Sequence, residues 1–393
     1  MYNPVRRFQP RRFATLAILL STLALSHCFG GSDPTEVASS GGSTGGSTGG
    51  STGGSTGGST GGTSGGGTSG GDQPPPINGA GCTAYGAPAR KVVKVSLDGA
   101  LDGFLTRILP LCTIDGGEIL NWTDSDNTPR QACLITTPKA TKSAPLPLLV
   151  WLHPTLVAKD AFGGTGLAPL TKTGLLGSDP KQLGYSLLIP YGRNIEMFLP
   201  APLSTGIGWD HWYRNFNRGS RYVNQDVAAI DHFIAEVESR GTVDTKRVYM
   251  SGHSEGADMA SLYGINTPGI AATDIYSSIS PFDDPADPCP QPASATNTTR
   301  PLKLVVRSCD VGNACVAGNQ FLDDLRAGVL VPPSLVSGEI LDDNENIVQA
   351  CDPACEGHST DPAIQKREQH NHTRWPQTQN PAFLAYLRAH PLP

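Results

Sequence analysis

The sequence has little charge, and residues 82–393 show no basic stripe. Charged side chains make up 16% of the 393 residues, and the formal net charge of −6 is spread along the chain. Proteins that bind nucleic acid present a basic patch or stripe to the phosphate backbone. We therefore expect no nucleic-acid partner.

The N-terminal region also lacks an apolar run long enough to cross a membrane. Phe13–Leu25 is apolar over about 13 residues, whereas a membrane-spanning helix needs about 20. Four arginines precede this run: Arg6, Arg7, Arg11 and Arg12. A basic segment followed by a short apolar one predicts an export signal over residues 1–28 and not a membrane anchor.

The end of this signal, Leu25–Cys28, is similar to a bacterial lipoprotein cleavage box, in which small residues precede a cysteine that becomes lipidated. We expect Cys28 to carry lipid and to hold the protein on a membrane, facing the periplasm or the cell surface. His27 departs from the pattern, because Gly, Ala or Ser is usual at that position. Cleavage elsewhere, which would release a secreted protein, therefore stays open.

The nine cysteines include no Cys-x-x-Cys pair, so a zinc site has little support and no metal or organic cofactor is expected. With Cys28 lipidated, eight cysteines remain, an even number that predicts up to four disulfides in an oxidising compartment. Short loops favour the pairs Cys309–Cys315 and Cys351–Cys355. The other four would then form long-range bridges: Cys82, Cys112, Cys133 and Cys289.

Residues 29–81 contain almost nothing that could form a core. From Ser39 to Gly71 the chain is nearly pure Gly, Ser and Thr, and a proline run follows at Pro74–Pro76. Such a composition predicts a disordered linker. The sequence is thus expected to hold a folded domain over residues 82–393 at the end of a tether.

In the predicted domain, apolar β-branched runs alternate with helical patterns. Leu148–Leu152 is continuously apolar, as a central parallel strand buried on both faces should be. The other predicted strands are Val92–Val95, Ala132–Thr136, Ser186–Pro190, Val248–Ser251, Ile275–Ile279 and Leu302–Val306. An amphipathic helix that ends near Gly241 is predicted from apolar residues at helical spacing: Val223, Val227, Ile230, Ile234 and Val237. This alternation predicts an α/β fold with a doubly wound, mostly parallel sheet.

The motif Gly252–Gly256 reads Gly-x-Ser-x-Gly and stands between an apolar strand and an Ala/Met/Leu helix. Glycines on both sides of Ser254 allow a turn so sharp that the serine hydroxyl projects above the sheet. An ordinary glycine-rich turn is the alternative, but the flanking strand and helix favour a nucleophile elbow. Ser254 is the predicted nucleophile.

A serine hydroxyl needs a base to take its proton and an acid to orient that base. Both are expected later in the chain, the acid before the histidine. Asp310 follows a predicted strand and is our predicted acid, although other acids stay open: Asp283, Asp284, Asp323, Asp324, Asp342 and Asp343. His372, in a predicted loop before a last helical stretch at Pro381–Arg388, is our predicted base. His370 is the runner-up among the histidines after Ser254, which also include His358, read as a surface residue, and His390.

An oxyanion hole needs two backbone N–H donors. One is expected from Glu255, the residue after the nucleophile. The other is expected from the loop after Leu148–Leu152, where Pro154 has no N–H and Thr155 is therefore the better candidate. His153, which precedes the nucleophile in the chain, is expected to shape this loop.

Four segments together resemble the secreted polyhydroxybutyrate depolymerase and feruloyl esterase group of the α/β-hydrolases. They are the strand and loop Val150–Pro154, the paired-tryptophan stretch Trp209–Tyr213, the elbow Gly252–Gly256 and the segment His372–Pro376. The last segment is similar to a His-Thr-Trp-Pro motif with one residue inserted, and it favours His372 over His370. The chain departs from the group in having Pro154 after His153 and Glu255 after the nucleophile.

The resemblance implies an ester hydrolase that acts through an acyl-serine intermediate on a polyester or a plant-polysaccharide ester. Trp209 and Trp212 would line a substrate pocket, with packing as the alternative role. A serine peptidase or acyltransferase on the same fold stays open, and so does a surface module that binds without catalysis.

Overall fold

The computed structural model describes residues 111–155, 161–196, 205–212, 224–282, 300–311, 314–329, 332–356 and 360–393. Several predictions from the sequence lie outside these ranges. They are the export signal, the lipid anchor at Cys28, the linker, the strand at Val92–Val95, and any bridge that involves Cys82 or Cys289.

The central sheet of the described part has nine strands in the order β1-β2-β4-β3-β7-β8-β9-β10-β11. Pairing is parallel from β4 to β10 and antiparallel at both ends. A separate antiparallel pair, β5 (Arg193–Glu196) and β6 (Thr205–Gly208), forms a second sheet. The sheet strands are β1 Glu118–Thr123, β2 Pro129–Ile135, β3 Leu146–Leu152, β4 Ser186–Pro190, β7 Val243–His253, β8 Ala272–Tyr276, β9 Leu302–Arg307, β10 Val336–Leu341 and β11 Ile347–Val348.

These strands confirm the predicted fold class and most of the predicted strands. One prediction was displaced: the strand expected at Ile275–Ile279 begins and ends three residues earlier, as β8. The reason is local, because Ser277 has a φ of 57° and leaves the extended conformation. The same backbone angle matters for the site below.

Helices cover both faces of the sheet. One face packs on α3, α4 and α5 and the other on α2 and α7, with every residue of β3 buried between the two layers. The helix predicted from the Val and Ile repeat is α3, and Asn224 caps its first turn by accepting hydrogen bonds from the N–H groups of Asp226 and Val227. The helices are α1 Leu111–Ile114, α2 Leu167–Leu170, α3 Gln225–Ser239, α4 Glu255–Asn266, α5 Ala314–Asp324, α6 Pro362–Thr373 and α7 Asn380–Arg388.

Three disulfides join described cysteines: Cys112–Cys133, Cys309–Cys355 and Cys315–Cys351. The predicted short-loop pairs were therefore wrong. Residues 351–355 run alongside the end of β9, where the N–H of Asp352 donates to the carbonyl of Ser308 over 2.8 Å. Folding thus brings Cys351 and Cys355 each opposite a partner that is distant in the sequence. Bridges of this kind are typical of oxidising compartments.

Within the described ranges, no helix combines the length and the apolar character needed to cross a membrane.

One carboxyl group is buried in the middle of the sheet. Asp274 of β8 lies between Ser251 of β7 and Lys303 of β9 in the strand register. Burial raises the pKa of Asp274 to about 7, although Ser251 and Lys303 act in the opposite direction. The carboxyl is therefore protonated in the fold at a pH where it is ionised in the unfolded chain.

We expect Asp274→Asn to change how stability depends on pH. An unfolded aspartate ionises at about pH 4, so the wild-type protein should lose stability as the pH rises from about 4 to about 7. The variant lacks this loss, and its free energy of unfolding relative to the wild type should rise by up to about 4 kcal/mol over that interval. Urea unfolding at both ends of the interval measures the difference. An equal difference at both ends would contradict the assignment, and Asp323→Asn, at an exposed position, is the control.

Candidate active site

Ser254 stands between the end of β7 and the start of α4, in a strained backbone conformation with φ 55° and ψ −130°. A Cβ atom at Gly252 would collide with the carbonyl of Gly256, and one at Gly256 would collide with the carbonyls of Leu152 and His153. Glycine is thus required at both positions. The strain and the two close approaches are the geometry of a nucleophile elbow, and the side chain of Ser254 is partly exposed.

The structure brings Ser254, His372 and Asp310 together in one line of hydrogen bonds. Ser254 Oγ lies 2.8 Å from His372 Nε2, and His372 Nδ1 lies 2.8 Å from Asp310 Oδ1. Asp310 follows β9 and is almost fully buried. His370 is exposed on the same helix as His372 and does not join the line.

His372 does not lie in a loop, as its neighbourhood predicted, but in the last turn of α6. The helix begins after Asp361, whose side chain accepts the N–H of Ala363, and Pro362 occupies its first turn. The low apolar content of residues 362–373 gives no amphipathic pattern, so periodicity alone did not reveal this helix. The predicted base is therefore carried by a helix and not by a loop.

Three buried side chains that sequence reasoning missed hold the end of α6. His253 Nε2 donates to the carbonyl of His372 over 2.6 Å, and Tyr276 Oη donates to the carbonyl of Asn371, also over 2.6 Å. The side chain of Asn371 donates to the carbonyl of Cys309, next to Asp310, over 2.7 Å. Burial lowers the pKa of His253 to about 3, with a further lowering from His372, so His253 is neutral.

Ser277 is a further side chain that the sequence did not single out. Its Oγ lies 2.7 Å from Asp310 Oδ2 and 2.8 Å from His372 Nδ1. The sequence placed Ser277 inside the predicted strand Ile275–Ile279, so its position gave no signal of a role in the site. Its backbone angle, which directs the hydroxyl, cannot be read from composition.

Thr155 and Glu255, the predicted oxyanion donors, meet at the elbow. Glu255 is the first residue of α4, where N–H groups have no acceptor within the helix itself, and its side chain accepts a hydrogen bond from Thr155 Oγ1. His153 Nε2 accepts the N–H of Gly192 over 2.9 Å, while His153 Nδ1 lies 2.9 Å from the carbonyl of Pro154. Both ring nitrogens of His153 thus hold the loop, in agreement with a shaping role.

Trp209 is fully buried beneath this loop. Its Nε1 donates to the carbonyl of His153 over 2.8 Å, and its backbone N–H donates to Glu255 Oε2 over 3.2 Å. The ring therefore packs under the loop, which is the second of the two roles considered for it. Trp212 is buried more loosely, at 7% exposure. His211, between them, lies 3.3 Å from Glu255 Oε1 through its Nδ1, so Glu255 ties the elbow to the tryptophan stretch.

One group of potential metal ligands occurs among the described residues: Cys309, Cys355 and Glu368, with ligand atoms within 4.8 Å of one another. The two sulfurs form a disulfide, so neither can act as a thiolate ligand.

Comparisons with known proteins give distant similarities. No protein-family model matches the chain. It is 30% identical over 174 residues to the probable glutamyl endopeptidase, chloroplastic, of Arabidopsis thaliana, an alignment that covers 42% of this chain and only 17% of that protein. The chain therefore spans less than a fifth of the relative that it matches.

Solved structures with a similar arrangement include an S-formylglutathione hydrolase from Agrobacterium tumefaciens, with 12% identity, TM-score 0.44, and coverage of 70% of this chain and 96% of that one. Esterase Est22 with p-nitrophenol has 12% identity, TM-score 0.43, and coverage of 78% and 94%. A ferulic acid esterase has 12% identity, TM-score 0.41, and coverage of 70% and 98%.

The fold itself is defined by the described residues of this chain. A mostly parallel sheet has helices on both faces, a strand–serine–helix elbow stands at the carboxyl edge of the sheet, and the residues of the hydrogen-bonded line follow in the order Ser254, Asp310, His372. The chain has the α/β-hydrolase fold.

Proposed function

We propose that this protein is a serine hydrolase that cleaves carboxylic esters through an acyl-serine intermediate. The observation that carries the proposal is the continuous line from Ser254 Oγ to His372 Nε2 and from His372 Nδ1 to Asp310, with both contacts at 2.8 Å. Distances of this kind are those of a nucleophile in reach of its base and of a base oriented by an acid.

In the proposed acylation step, Ser254 Oγ attacks the ester carbonyl carbon while its proton passes to His372 Nε2. The carbonyl oxygen becomes an oxyanion, which the backbone N–H groups of Glu255 and Thr155 would stabilise. The tetrahedral intermediate collapses, the bond to the alcohol oxygen breaks, and His372 donates its proton to the departing alcohol. Asp310 keeps the imidazole in the tautomer whose Nε2 faces the serine.

In the deacylation step, water attacks the acyl-serine carbonyl carbon and gives a proton to His372. The second tetrahedral intermediate releases the carboxylic acid, and the proton returns to Ser254. The two half-reactions use the same groups in opposite order. They need no metal and no organic cofactor, because every proton is accounted for by the three side chains and water.

The substrate class that we propose is a polymeric ester, either a polyester or a feruloylated polysaccharide, outside the cytoplasm. The support is the resemblance of four segments to the polyhydroxybutyrate depolymerase and feruloyl esterase group, together with the predicted export signal and the disulfides. A lipid at Cys28 and the linker after it would hold the enzyme near a surface. Trp212, at 7% exposure, is the better candidate of the two tryptophans to contact such a substrate, because Trp209 is fully buried.

A serine peptidase is the second candidate. The partial similarity to the probable glutamyl endopeptidase favours it, since that relative's name describes cleavage of peptide bonds. The catalytic groups that we propose would serve an amide as well as an ester, so the distinction lies in the pocket and not in the three side chains.

Active-site labelling tests the proposal without knowledge of the natural substrate. The full-length protein is treated with a fluorophosphonate, and the modified peptide is identified by mass spectrometry. We expect one adduct, on Ser254, together with turnover of p-nitrophenyl esters from acetate to octanoate and little cleavage of a peptide library. Efficient peptide cleavage would favour the peptidase, and a folded protein without adduct or turnover would favour a module that only binds.

Asp310→Asn tests the acid. An asparagine in this position can retain the geometry but favours the wrong imidazole tautomer, so we expect kcat to fall by about 10⁴-fold. Asp342→Asn is the matched control, because Asp342 follows the neighbouring strand β10 and its carboxylate instead accepts N–H groups of its own turn. Steady-state kinetics on a p-nitrophenyl ester measures both, and a larger loss in Asp342→Asn would reverse the assignment.

A further inference from the structure

The hydroxyl of Ser277 lies between the acid and the base of the proposed site. It is 2.7 Å from Asp310 Oδ2 and 2.8 Å from His372 Nδ1, and the residue is 3% exposed. A hydroxyl has one proton to donate and two lone pairs that accept. The chemistry of Asp310 and His372 therefore decides in which contact the hydroxyl donates and in which it accepts.

Asp310 can only accept when ionised, so the single proton of Ser277 goes to Asp310 Oδ2. The contact with His372 Nδ1 is then one in which Nδ1–H donates and Ser277 Oγ accepts. His372 Nδ1–H thus faces two acceptors, Ser277 Oγ and Asp310 Oδ1, each at 2.8 Å. Asp310 Oδ2 accepts from Ser277, and Asp310 Oδ1 also accepts the N–H of Val311 over 2.8 Å.

The backbone of Ser277 is fixed in an unfavourable conformation that aims the hydroxyl. Its φ of 57° is uncommon for a residue other than glycine, and asparagine or aspartate is the more usual exception. Its N–H donates to the carbonyl of Val305 on the neighbouring strand over 2.9 Å, so the position at the end of β8 is firmly held. Strain retained at such a point is typical of a functional constraint.

The adjacent serine shows what a purely structural hydroxyl does in the same place. Ser278 is also buried, and its Oγ donates to Asp258 Oδ1 over 2.7 Å. This contact is as short as that of Ser277, yet it joins α4 to the strand end without a contact to the histidine. The two neighbours therefore form a matched pair for comparison.

We propose that Ser277 is a fourth, positioning residue of the catalytic apparatus, which accepts from Nδ1–H of His372 while it donates to Asp310. The inference rests on the proposed function, because it assigns a role in the same proton transfer. Ser277 secures the imidazole tautomer and adds a second acceptor for the imidazolium that forms when His372 takes the serine proton. Its contribution should appear in the chemical step and not in substrate binding.

Ser277→Ala in the full-length protein should lower kcat for a p-nitrophenyl ester by about 10- to 100-fold, the range expected for one hydrogen bond to a charged group, with KM nearly unchanged. The rate of labelling by a fluorophosphonate should fall in parallel. Ser277→Gly should lose as much activity although it relieves the backbone strain, which separates the hydroxyl from the strain. Ser278→Ala should keep the wild-type kcat.

A spectroscopic signature distinguishes a positioning role from a general loss of packing. In proton NMR spectra, the low-field resonance of His372 Nδ1–H should shift upfield in Ser277→Ala and stay in place in Ser278→Ala. Retention of both kcat and the resonance in the two Ser277 variants would overturn the inference. A wild-type protein that neither turns over esters nor labels at Ser254 would instead refute the proposed function, so the two failures are distinct.

Discussion

Alanine at Ser254 is expected to lower kcat by about 10⁶-fold, and alanine at both Ser254 and His372 is expected to lower it no further. In the proposed mechanism the serine and the histidine act in one proton transfer, so loss of either disables the same step. The 2.8 Å contact between Ser254 Oγ and His372 Nε2 is the structural reason for this coupling. If the two side chains contributed independently, the loss of kcat in the double variant would be the product of the losses in the two single variants.

Progress curves on p-nitrophenyl butyrate, with the folded fraction determined by circular dichroism, measure the single variants and the double variant. Ser261→Ala is the control, because Ser261 is a buried serine of α4, the helix that follows Ser254, and its hydroxyl donates only to the carbonyl of Asp258. It should retain wild-type turnover. A double variant that is slower than the single variants by a further factor of about 10³ would mean that the two side chains act separately.

The sequence was informative wherever a local pattern determines the structure. The continuously apolar β3, the apolar strand before Ser254 and the glycines at 252 and 256 are local signals, and each predicted its element. The chain order of a parallel sheet then brings strand ends to one edge, which is why an aspartate directly behind β9 could be predicted as the partner of a histidine 62 residues later. The sheet topology thus brings residues that are far apart in the sequence close together in space.

The sequence was least informative where contacts depend on segments that are distant along the chain. The pairing of Cys309 with Cys355 follows from the path of residues 351–355 beside β9, and loop length alone favoured the wrong partner. The hydroxyl of Ser277 reaches His372 only because its φ is positive, an angle that the residue type does not predict. The sequence drew attention to Glu255 for its backbone N–H alone. In the structure, the side chain of Glu255 connects Thr155 with the tryptophan stretch.

The second large effect is expected on stability. Asp226, the second residue of α3, is fully buried with two arginines: Arg130 Nη2 lies 2.5 Å from Asp226 Oδ1, and Arg193 Nε lies 3.8 Å from the same atom. Its other oxygen accepts the N–H of Asp210 over 2.6 Å, which anchors the tryptophan stretch to α3. Burial alone would raise the pKa of Asp226, but Arg130 and then Arg193 outweigh it, and the net pKa is lowered.

Asp226→Ala removes one of the two buried carboxylates that both arginines share, the other being Asp124. We expect the free energy of unfolding to fall by about 3–5 kcal/mol at neutral pH, because a buried ion pair is broken. Because the folded pKa of Asp226 is lowered, its contribution is present above the unfolded pKa of about 4 and is lost as the pH falls through the folded value. The difference between variant and wild type should therefore shrink in acid.

Urea unfolding at pH 7 and at pH 3 measures the free energy of unfolding of the variant and the wild type. Asp323→Ala, which breaks an exposed pair with Arg326, is the control and is expected to change stability by less than about 1 kcal/mol. A loss for Asp226→Ala as small as that of the control would show that Asp124 and Asp126, which also pair with these arginines, suffice to neutralise them. The anchoring of the tryptophan stretch would then rest on other contacts.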